Sequence, residues 1–152
     1  MGNTRMTTPS NNAPWQIAEL LPRFYEKNAL SIGGKAPQLL ISSFKFSHDE
    51  SLIDRSTNPP TLKRFPPSKN TVENAFYQGT FSSDDIIYNE GRLMFRSLMP
   101  ENTLSAPQEY SLTTLHDQDG DIVAVSVDLP DWVTPSEGIN THPYINFPIG
   151  DA

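Results

Sequence analysis

The chain of 152 residues contains no cysteine, which excludes disulfide bonds, thiolate nucleophiles and cysteine-ligated zinc or iron–sulfur centres. It also lacks any apolar run near the ~20 residues that a membrane helix requires. Its first residues, MGNTRMTTPS, lack the apolar stretch of a signal peptide. These absences predict a protein without a membrane partner that begins near Met1 and is stabilised by packing or by assembly.

Basic residues are absent after Arg96. All 11 lysines and arginines lie up to that position together with 9 acidic residues, whereas residues 97–152 carry 9 acidic residues and no base, and the net charge is −7. Lys63, Arg64 and Lys69 are too sparse for the dense basic stripe of a nucleic-acid-binding protein, so no nucleic-acid partner is expected. The acidic half is interpreted either as a solvated surface or as one side of a contact with the basic half of another subunit.

Motifs of the common catalytic classes are also missing. There is no Walker-type phosphate loop and no Gly-x-Ser-x-Gly elbow, and His48, His116 and His142 stand in separate segments, where we interpret them as solvated side chains. We therefore predict no catalytic, cofactor-binding or metal-binding residues and no enzymatic activity. The alternative is a small hydrolase that uses Asp84 or Asp85 with one of the first two histidines.

The most regular pattern lies between Tyr110 and Pro130, where two alternating apolar segments flank an acidic turn. The dipeptide Asp119-Gly120 is typical of tight hairpin turns, so the segment predicts a β-hairpin. The same turn matches part of an EF-hand calcium loop, with acidic residues at four of its positions: Asp117, Asp119, Asp121 and Asp128. Ile122 stands where that loop requires glycine, which favours the hairpin and leaves calcium binding as the alternative.

The sequence predicts one domain with short ends. Residues 1–14 are rich in Thr, Asn, Ser and Pro and are interpreted as a flexible arm that is either disordered or ordered on a neighbouring protein. Residues 15–149 form the predicted domain, and residues 150–152 form a tail.

Within the domain, an apolar stripe predicts a helical region that Pro22 kinks or divides and Gly33-Gly34 ends. Strands are predicted at residues 38–46, 75–81, 91–99 and 142–149, in addition to the hairpin. We expect the last strand at a sheet edge, because its two prolines have no N–H to donate. The predicted fold class is α+β, mostly β: a kinked N-terminal helix followed by an antiparallel sheet or sandwich of about five to six strands with long proline-rich loops.

Residues 47–70 form a connection with two proline pairs. A connection longer than ~12–15 residues inside a compact domain is usually functional or disordered, and proline pairs favour an extended conformation that can reach a partner. We predict that protein partners bind through the N-terminal arm, this connection and the acidic end of the chain. The candidate partner-binding residues are Trp15, Pro59, Pro60, Lys63, Arg64, Pro66, Pro67, Trp132 and Tyr144. Alternatively, Trp132 and Tyr144 stack on a host surface sugar, as in a carbohydrate-binding module.

Four segments of the chain share their order and spacing with a known family. They are FYQGTF at 76–81, RLMFRSLMP at 92–100, DGDIVAV at 119–125 and PSEG at 135–138. With the preceding helix, strand and long loop, they make residues 29–149 resemble the N-terminal domain of bacteriophage tail-collar fibre proteins, by which a fibre attaches to the baseplate.

This resemblance implies a structural protein of the phage virion, made in the host cytoplasm. The protein would be an adaptor that attaches a tail fibre to the baseplate through protein–protein contacts. The implied partners are the tail fibre, other tail or baseplate proteins and further copies of the chain, with a trimer favoured.

Overall fold

A computed structural model describes residues 5–6 and 14–148. It confirms the predicted mostly-β class, with one short N-terminal helix and mostly antiparallel sheets of about five strands. Of the predicted arm, only Arg5, Met6 and Pro14 are described; the other arm residues and the tail at 150–152 lie outside the described residues. The predicted domain boundaries therefore stay a prediction.

The described chain contains one α-helix, α1 (Pro22–Ile32), and two short 3₁₀ helices, Glu50–Leu52 and Ser83–Asp85. Its strands are β1 (Arg5–Met6), β2 (Trp15–Ile17), β3 (Glu19–Leu20), β4 (Ile41–Ser47), β5 (Ile53–Asp54), β6 (Thr61–Leu62), β7 (Ala75–Thr80), β8 (Ile86–Asn89), β9 (Arg92–Phe95), β10 (Ser97–Met99), β11 (Gln108–Asp117), β12 (Ile122–Val133) and β13 (Gly138–Asn146).

These strands form two larger sheets and one short ribbon. The five-stranded sheet has the order β3-β12-β11-β4-β7 and is antiparallel throughout. In the six-stranded sheet, β13 is the central strand. Along one of its edges it pairs with β9 and β10, which continue the same register, and along the other it pairs with β1 and β2. Strand β8 pairs with β9. The pair β13–β2 is the parallel one. Strands β5 and β6 form the ribbon.

The predicted hairpin is confirmed as β11–β12. Gly120 has a φ of +84°, and its N–H donates to the carbonyl oxygen of Asp117 at 3.0 Å, which closes the turn. A glycine suits this left-handed conformation because it has no Cβ to clash with the backbone. The local turn chemistry in the sequence therefore specified this element correctly.

The hairpin is covered on both faces. On one side Tyr110 and Val123 belong to a core shared with the six-stranded sheet. On the other side Leu112 and its neighbours pack against Leu52 and Phe65, which are 2 % and 0 % exposed. Because Leu52 and Phe65 belong to the proline-rich connection at 47–70, that connection forms a layer of the domain.

The predicted kinked helix is wrong in its first half. Residues 15–20 form β2 and β3, which pair with β13 and β12, and the helix begins only at Pro22. A proline fits the first helical position because its fixed φ suits the helix and the N–H it lacks would have no partner there. It also disfavours helical geometry in the preceding residue, and Leu21 is extended with φ −84° and ψ 157°. The predicted end is correct, since α1 stops before Gly33-Gly34.

The predicted edge position of the last strand is also wrong, because β13 lies in the middle of its sheet. Pro143 is tolerated because the hydrogen-bond ladder along one edge of β13 is interrupted there. β10 pairs with β13 up to Ser97–Thr141, and β9 resumes the pairing at Met94–Tyr144.

The hairpin extends further than predicted. The sequence pattern placed its end at Pro130, yet β12 continues to Val133. Pro130 lies in a bulge of β12, between the paired residues Leu112–Val127 and Tyr110–Asp131. Residues of a bulge are not paired in the ladder, so the N–H that proline lacks is not required there.

Gly138 at the start of β13 offers a test of this packing. A Cβ at Gly138 would lie 2.6 Å from the carbonyl oxygen of Met99 and 3.3 Å from the carbonyl carbon of Pro100. Because these are backbone atoms, Gly138→Ala is expected to lower the free energy of unfolding by about 1–3 kcal/mol in chemical denaturation. Gly33→Ala is the matched control, since its Cβ would meet its nearest neighbour at 3.4 Å. Equal losses in the two variants would contradict the close approach at Gly138.

Candidate functional site

Two adjoining depressions between α1 and the six-stranded sheet form one surface, which we call the α1 groove. They have volumes of about 440 Å³ and 290 Å³, and Phe24, Asn28 and Phe147 line both. Four of the lining side chains are large, apolar and exposed: Ile17 (61 %), Tyr25 (59 %), Leu40 (50 %) and Phe147 (36 %). Contiguous apolar surface of this kind marks interaction sites in soluble proteins. The α1 groove is therefore a candidate docking surface.

The groove is assembled from four separate segments. Ile17 comes from β2, Tyr25 from α1 next to the buried Phe24, Leu40 from the segment before β4, and Phe147 from the residues after β13. The sequence prediction missed this surface because its residues are up to 130 positions apart. No local pattern marked it, because the exposure of Tyr25 beside the buried Phe24 is set by how α1 packs on the sheets.

The nine residues predicted to bind partners fall in three places. Trp15 and Tyr144 are neighbours on β2 and β13, with ring centroids 6.1 Å apart and the Arg92 guanidinium within 6 Å of both rings. The connection carries six more: Pro59, Pro60, Lys63, Arg64, Pro66 and Pro67, of which Pro60 is half-buried and the others are exposed. Trp132 lies on β12 of the other sheet and is 56 % exposed. Trp132 and Tyr144 therefore stand on different sheets, and the aromatic neighbour of Tyr144 is Trp15.

Lys27 of α1 contacts the acidic turn of the hairpin and offsets one of its three negative charges. Its ammonium group contacts the carboxylates of Asp117, Asp121 (2.7 Å) and Asp119 (3.5 Å). The Asp117 side chain is fully buried and also accepts the backbone N–H groups of Asp119 and Asp121. Burial alone would lower the pKa of Lys27, but its hydrogen bonds to Asp117 and Asp121 outweigh burial and raise that pKa. The three carboxylates lie close enough to hold a metal ion, but the ammonium group of Lys27, with a single positive charge, already contacts all three.

Removal of the Lys27 ammonium would leave Asp117 buried without its counter-charge. We expect Lys27→Met to lower the free energy of unfolding by about 2–4 kcal/mol in urea denaturation. Asp119→Asn is the control, because Asp119 is 69 % exposed and its contact is long, and it should change stability by less than about 0.5 kcal/mol. A melting temperature of the wild type that rises with calcium and falls with a chelator would contradict the structural role of Lys27.

A second polar cluster joins the connection to β11. His48 Nε2 lies 2.9 Å from Glu50 Oε1 and 3.3 Å from Glu109 Oε1, while His48 Nδ1 lies 2.9 Å from Ser111 Oγ. Arg55 donates to both carboxylates. Burial of the five side chains decreases from Ser111 inside the sheet to Arg55 and Glu50 at the surface. We call the set His48, Glu50 and Glu109 the His48 cluster.

Together with Ser111, the His48 cluster has the serine, histidine and carboxylate of a hydrolytic triad, but it resembles such a triad only in composition. Ser111 is 0 % exposed, and its Oγ also accepts the N–H of Asp49 at 3.3 Å. A nucleophile must be reachable by the substrate carbonyl, and this hydroxyl is enclosed by the sheet. Ser111 therefore orients His48.

The prediction that the histidines are solvated is wrong for two of them. His116 and His142 are 3 % and 1 % exposed, because both lie on strands that are covered on both faces. Burial lowers the pKa of His116. The neutral ring donates from Nδ1 to the Gly120 carbonyl at 3.0 Å and accepts the Thr114 hydroxyl at Nε2 at 2.7 Å. His116 thus stabilises the hairpin turn.

Of the two aspartates of the alternative hydrolase, Asp85 has partners other than a histidine. Asp85 pairs with Arg96 at 2.8 Å and accepts the N–H of Ser82, which caps the second 3₁₀ helix. Asp84 is exposed beside it. Asp85 is thus hydrogen-bonded to Arg96 and Ser82, whereas His48 is bonded to Ser111 and Glu50 and His116 to Thr114 and Gly120. These hydrogen bonds do not join Asp85 to either histidine, as the hydrolase alternative requires.

Asp128 lies in the bulged part of β12 and is a carboxyl with an unusual pKa. Burial raises its pKa from 3.8 to about 6, only partly offset by a hydrogen bond from the Tyr110 hydroxyl at 3.4 Å. The folded protein therefore favours the neutral acid. This contribution to stability is fully present below pH 4 and is lost as the pH rises through about 6.

Asp128→Asn is neutral at every pH, so it should be more stable than the wild type by about 1–3 kcal/mol near neutral pH, and by much less at pH 4. Thermal unfolding monitored by circular dichroism across this pH range measures the difference. Glu26→Gln removes the same charge from an exposed position of α1 and controls for net charge. A stability gain for Asp128→Asn that does not depend on pH would contradict the assigned pKa.

Comparison of the chain with protein-family models, curated proteins and solved structures gave no match. In residues 5–6 and 14–148, no helix has the length and apolar character needed to cross a bilayer. The α1 groove and the His48 cluster are therefore the features from which function is inferred.

Proposed function

We propose that the protein is a structural, non-enzymatic component of a bacteriophage tail, an adaptor that attaches a tail fibre to the baseplate through protein–protein contacts. The α1 groove carries this proposal, because four large apolar side chains at one surface remain exposed to solvent. In the assembled virion, the groove binds an apolar segment of the adjoining tail protein.

The size of the groove fits an assembly of several copies. Burial of the exposed parts of Ile17, Tyr25, Leu40 and Phe147 contributes on the order of 1 kcal/mol for each side chain. One groove alone would therefore bind weakly once the entropy cost of association is included. Several copies that bind together gain strength from their high effective concentration, which supports the homo-oligomer implied by the resemblance.

The charge distribution favours the groove over a charge-driven contact. Within the described residues, Lys27 of the basic half already pairs with Asp117 and Asp121, and Arg55 pairs with Glu109. Part of the acidic half is thus neutralised within its own chain. The apolar groove is therefore a better supported partner surface than a head-to-tail contact between the two halves.

Incorporation into virions tests the proposal. Tagged chain would be expressed in the host during infection by the phage that encodes it, and the chain would be quantified by mass spectrometry in purified particles. The double variant Ile17→Ser/Tyr25→Ser should enter virions at least about tenfold less than the wild type, since it loses apolar burial at the groove.

Tyr88→Ser provides the matched control, because Tyr88 is 62 % exposed on β8 and does not line the groove. This variant should enter virions as the wild type does, and circular dichroism would establish that all variants fold. Absence of the wild-type chain from purified virions would disprove the virion role. Equal incorporation of the groove variant would disprove the role of the groove.

A further inference from the structure

We propose that His48, Glu50 and Glu109 bind one Zn²⁺ ion, which ties the 47–70 connection to strand β11. The three residues come from different elements: His48 follows β4, Glu50 opens the first 3₁₀ helix, and Glu109 is the second residue of β11. One ligand atom from each lies within 4.8 Å of the other two. The site is separate from the α1 groove and does not depend on the role proposed for that groove.

The spacing of the ligand atoms suits a zinc ion. His48 Nε2 is 2.9 Å from Glu50 Oε1 and 3.3 Å from Glu109 Oε1. Around a tetrahedral zinc with bonds of about 2.0–2.2 Å, neighbouring ligand atoms stand about 3.3–3.5 Å apart. A point within bonding distance of all three atoms therefore needs only small side-chain adjustments.

Ser111 presents the correct nitrogen of His48 to the site. The Ser111 hydroxyl is fully buried and lies 2.9 Å from Nδ1, so it can accept the Nδ1–H and leave the Nε2 lone pair directed at the carboxylates. A lone pair that faces two carboxylate oxygens is repulsive unless a proton or a metal ion lies between them. Metal-binding histidines usually have such a partner at the second ring nitrogen.

Arg55 keeps the carboxylates together when no ion is bound. It donates to both oxygens of Glu50 and to Oε2 of Glu109, which leaves Glu109 Oε1 on the side of His48. The Arg55 side chain is 47 % exposed and can turn into solvent when a cation enters.

The donor set selects the class of metal. One imidazole nitrogen with two carboxylate oxygens suits zinc, whereas calcium and magnesium prefer sites made of oxygen alone. Glu50 is 56 % exposed, so water can complete the coordination. The hairpin turn differs in two respects: its three ligands are all carboxylates, and the Lys27 side chain that contacts them is 26 % exposed, whereas Arg55 is 47 % exposed.

Bound zinc would hold the start of the connection against the sheet. His48 and Glu50 precede the exposed residues Pro59 and Lys63, which are among the predicted partner-binding residues. The ion would restrict the motion of this segment and raise the stability of the domain, since a ligand that binds only the folded state stabilises it.

Isothermal titration of chelator-treated protein with Zn²⁺ tests the site. We expect one ion per chain and a higher melting temperature with zinc. His48→Gln and Glu109→Gln should each weaken binding by at least about tenfold, and Ser111→Ala by about tenfold through loss of ring orientation. Glu73→Gln is the matched control, because it removes the same charge from a carboxylate that is 53 % exposed and lies 3.6 Å from Lys69, outside the cluster.

Cobalt provides an independent readout, since Co²⁺ bound at a tetrahedral site with one nitrogen ligand gives a visible absorption band that His48→Gln should abolish. Circular dichroism of each variant establishes its folding, and Glu109→Gln tests the site if His48→Gln does not fold. Unchanged affinity in a folded His48→Gln or Glu109→Gln variant would overturn the proposal. So would the absence of zinc binding to the wild type, or binding that is lost in Asp121→Asn and kept in the His48 variant.

Discussion

Between the core shared with the six-stranded sheet on one side and the layer of Leu52 and Phe65 on the other, most of the β11–β12 hairpin is buried on both faces. This burial constrains its surroundings, because each polar group on the hairpin needs a partner inside the protein. His116 is accordingly neutral and hydrogen-bonded on both ring nitrogens. The proline-rich connection is ordered for the same reason, since its buried side chains form one of the two covering layers.

The same constraint explains where the charges lie. Asp117 is fully buried, so α1 must bring Lys27 to it, and that contact fixes the helix against the hairpin turn. Arg55 likewise forms an ion pair with Glu109, near the start of β11. Ion pairs between the basic and acidic halves of the chain thus stabilise the fold. The charges in these pairs are partly neutralised and contribute less to contacts with other subunits.

Among residues 5–6 and 14–148, the two surfaces proposed to bind partners differ in chemistry. The α1 groove is apolar and suits a protein segment, whereas the His48 cluster is polar and suits a cation. They lie on different parts of the domain: the groove between α1 and the six-stranded sheet, the cluster between the connection and β11. An adaptor would use the first for assembly, and a metal at the second would rigidify the connection beside it.

Local chemistry in the sequence determined the hairpin through Asp119-Gly120, the end of α1 through Gly33-Gly34 and the mostly-β class through alternating apolar residues. Tertiary structure decided the rest, because it depends on contacts between distant residues. Residues 15–20 form strands since β13 and β12 offer them hydrogen-bond partners, and β13 is central since its proline falls where the ladder is interrupted. His48 meets Glu109 across 61 positions only because β4 pairs with β11, and no local pattern encodes that register.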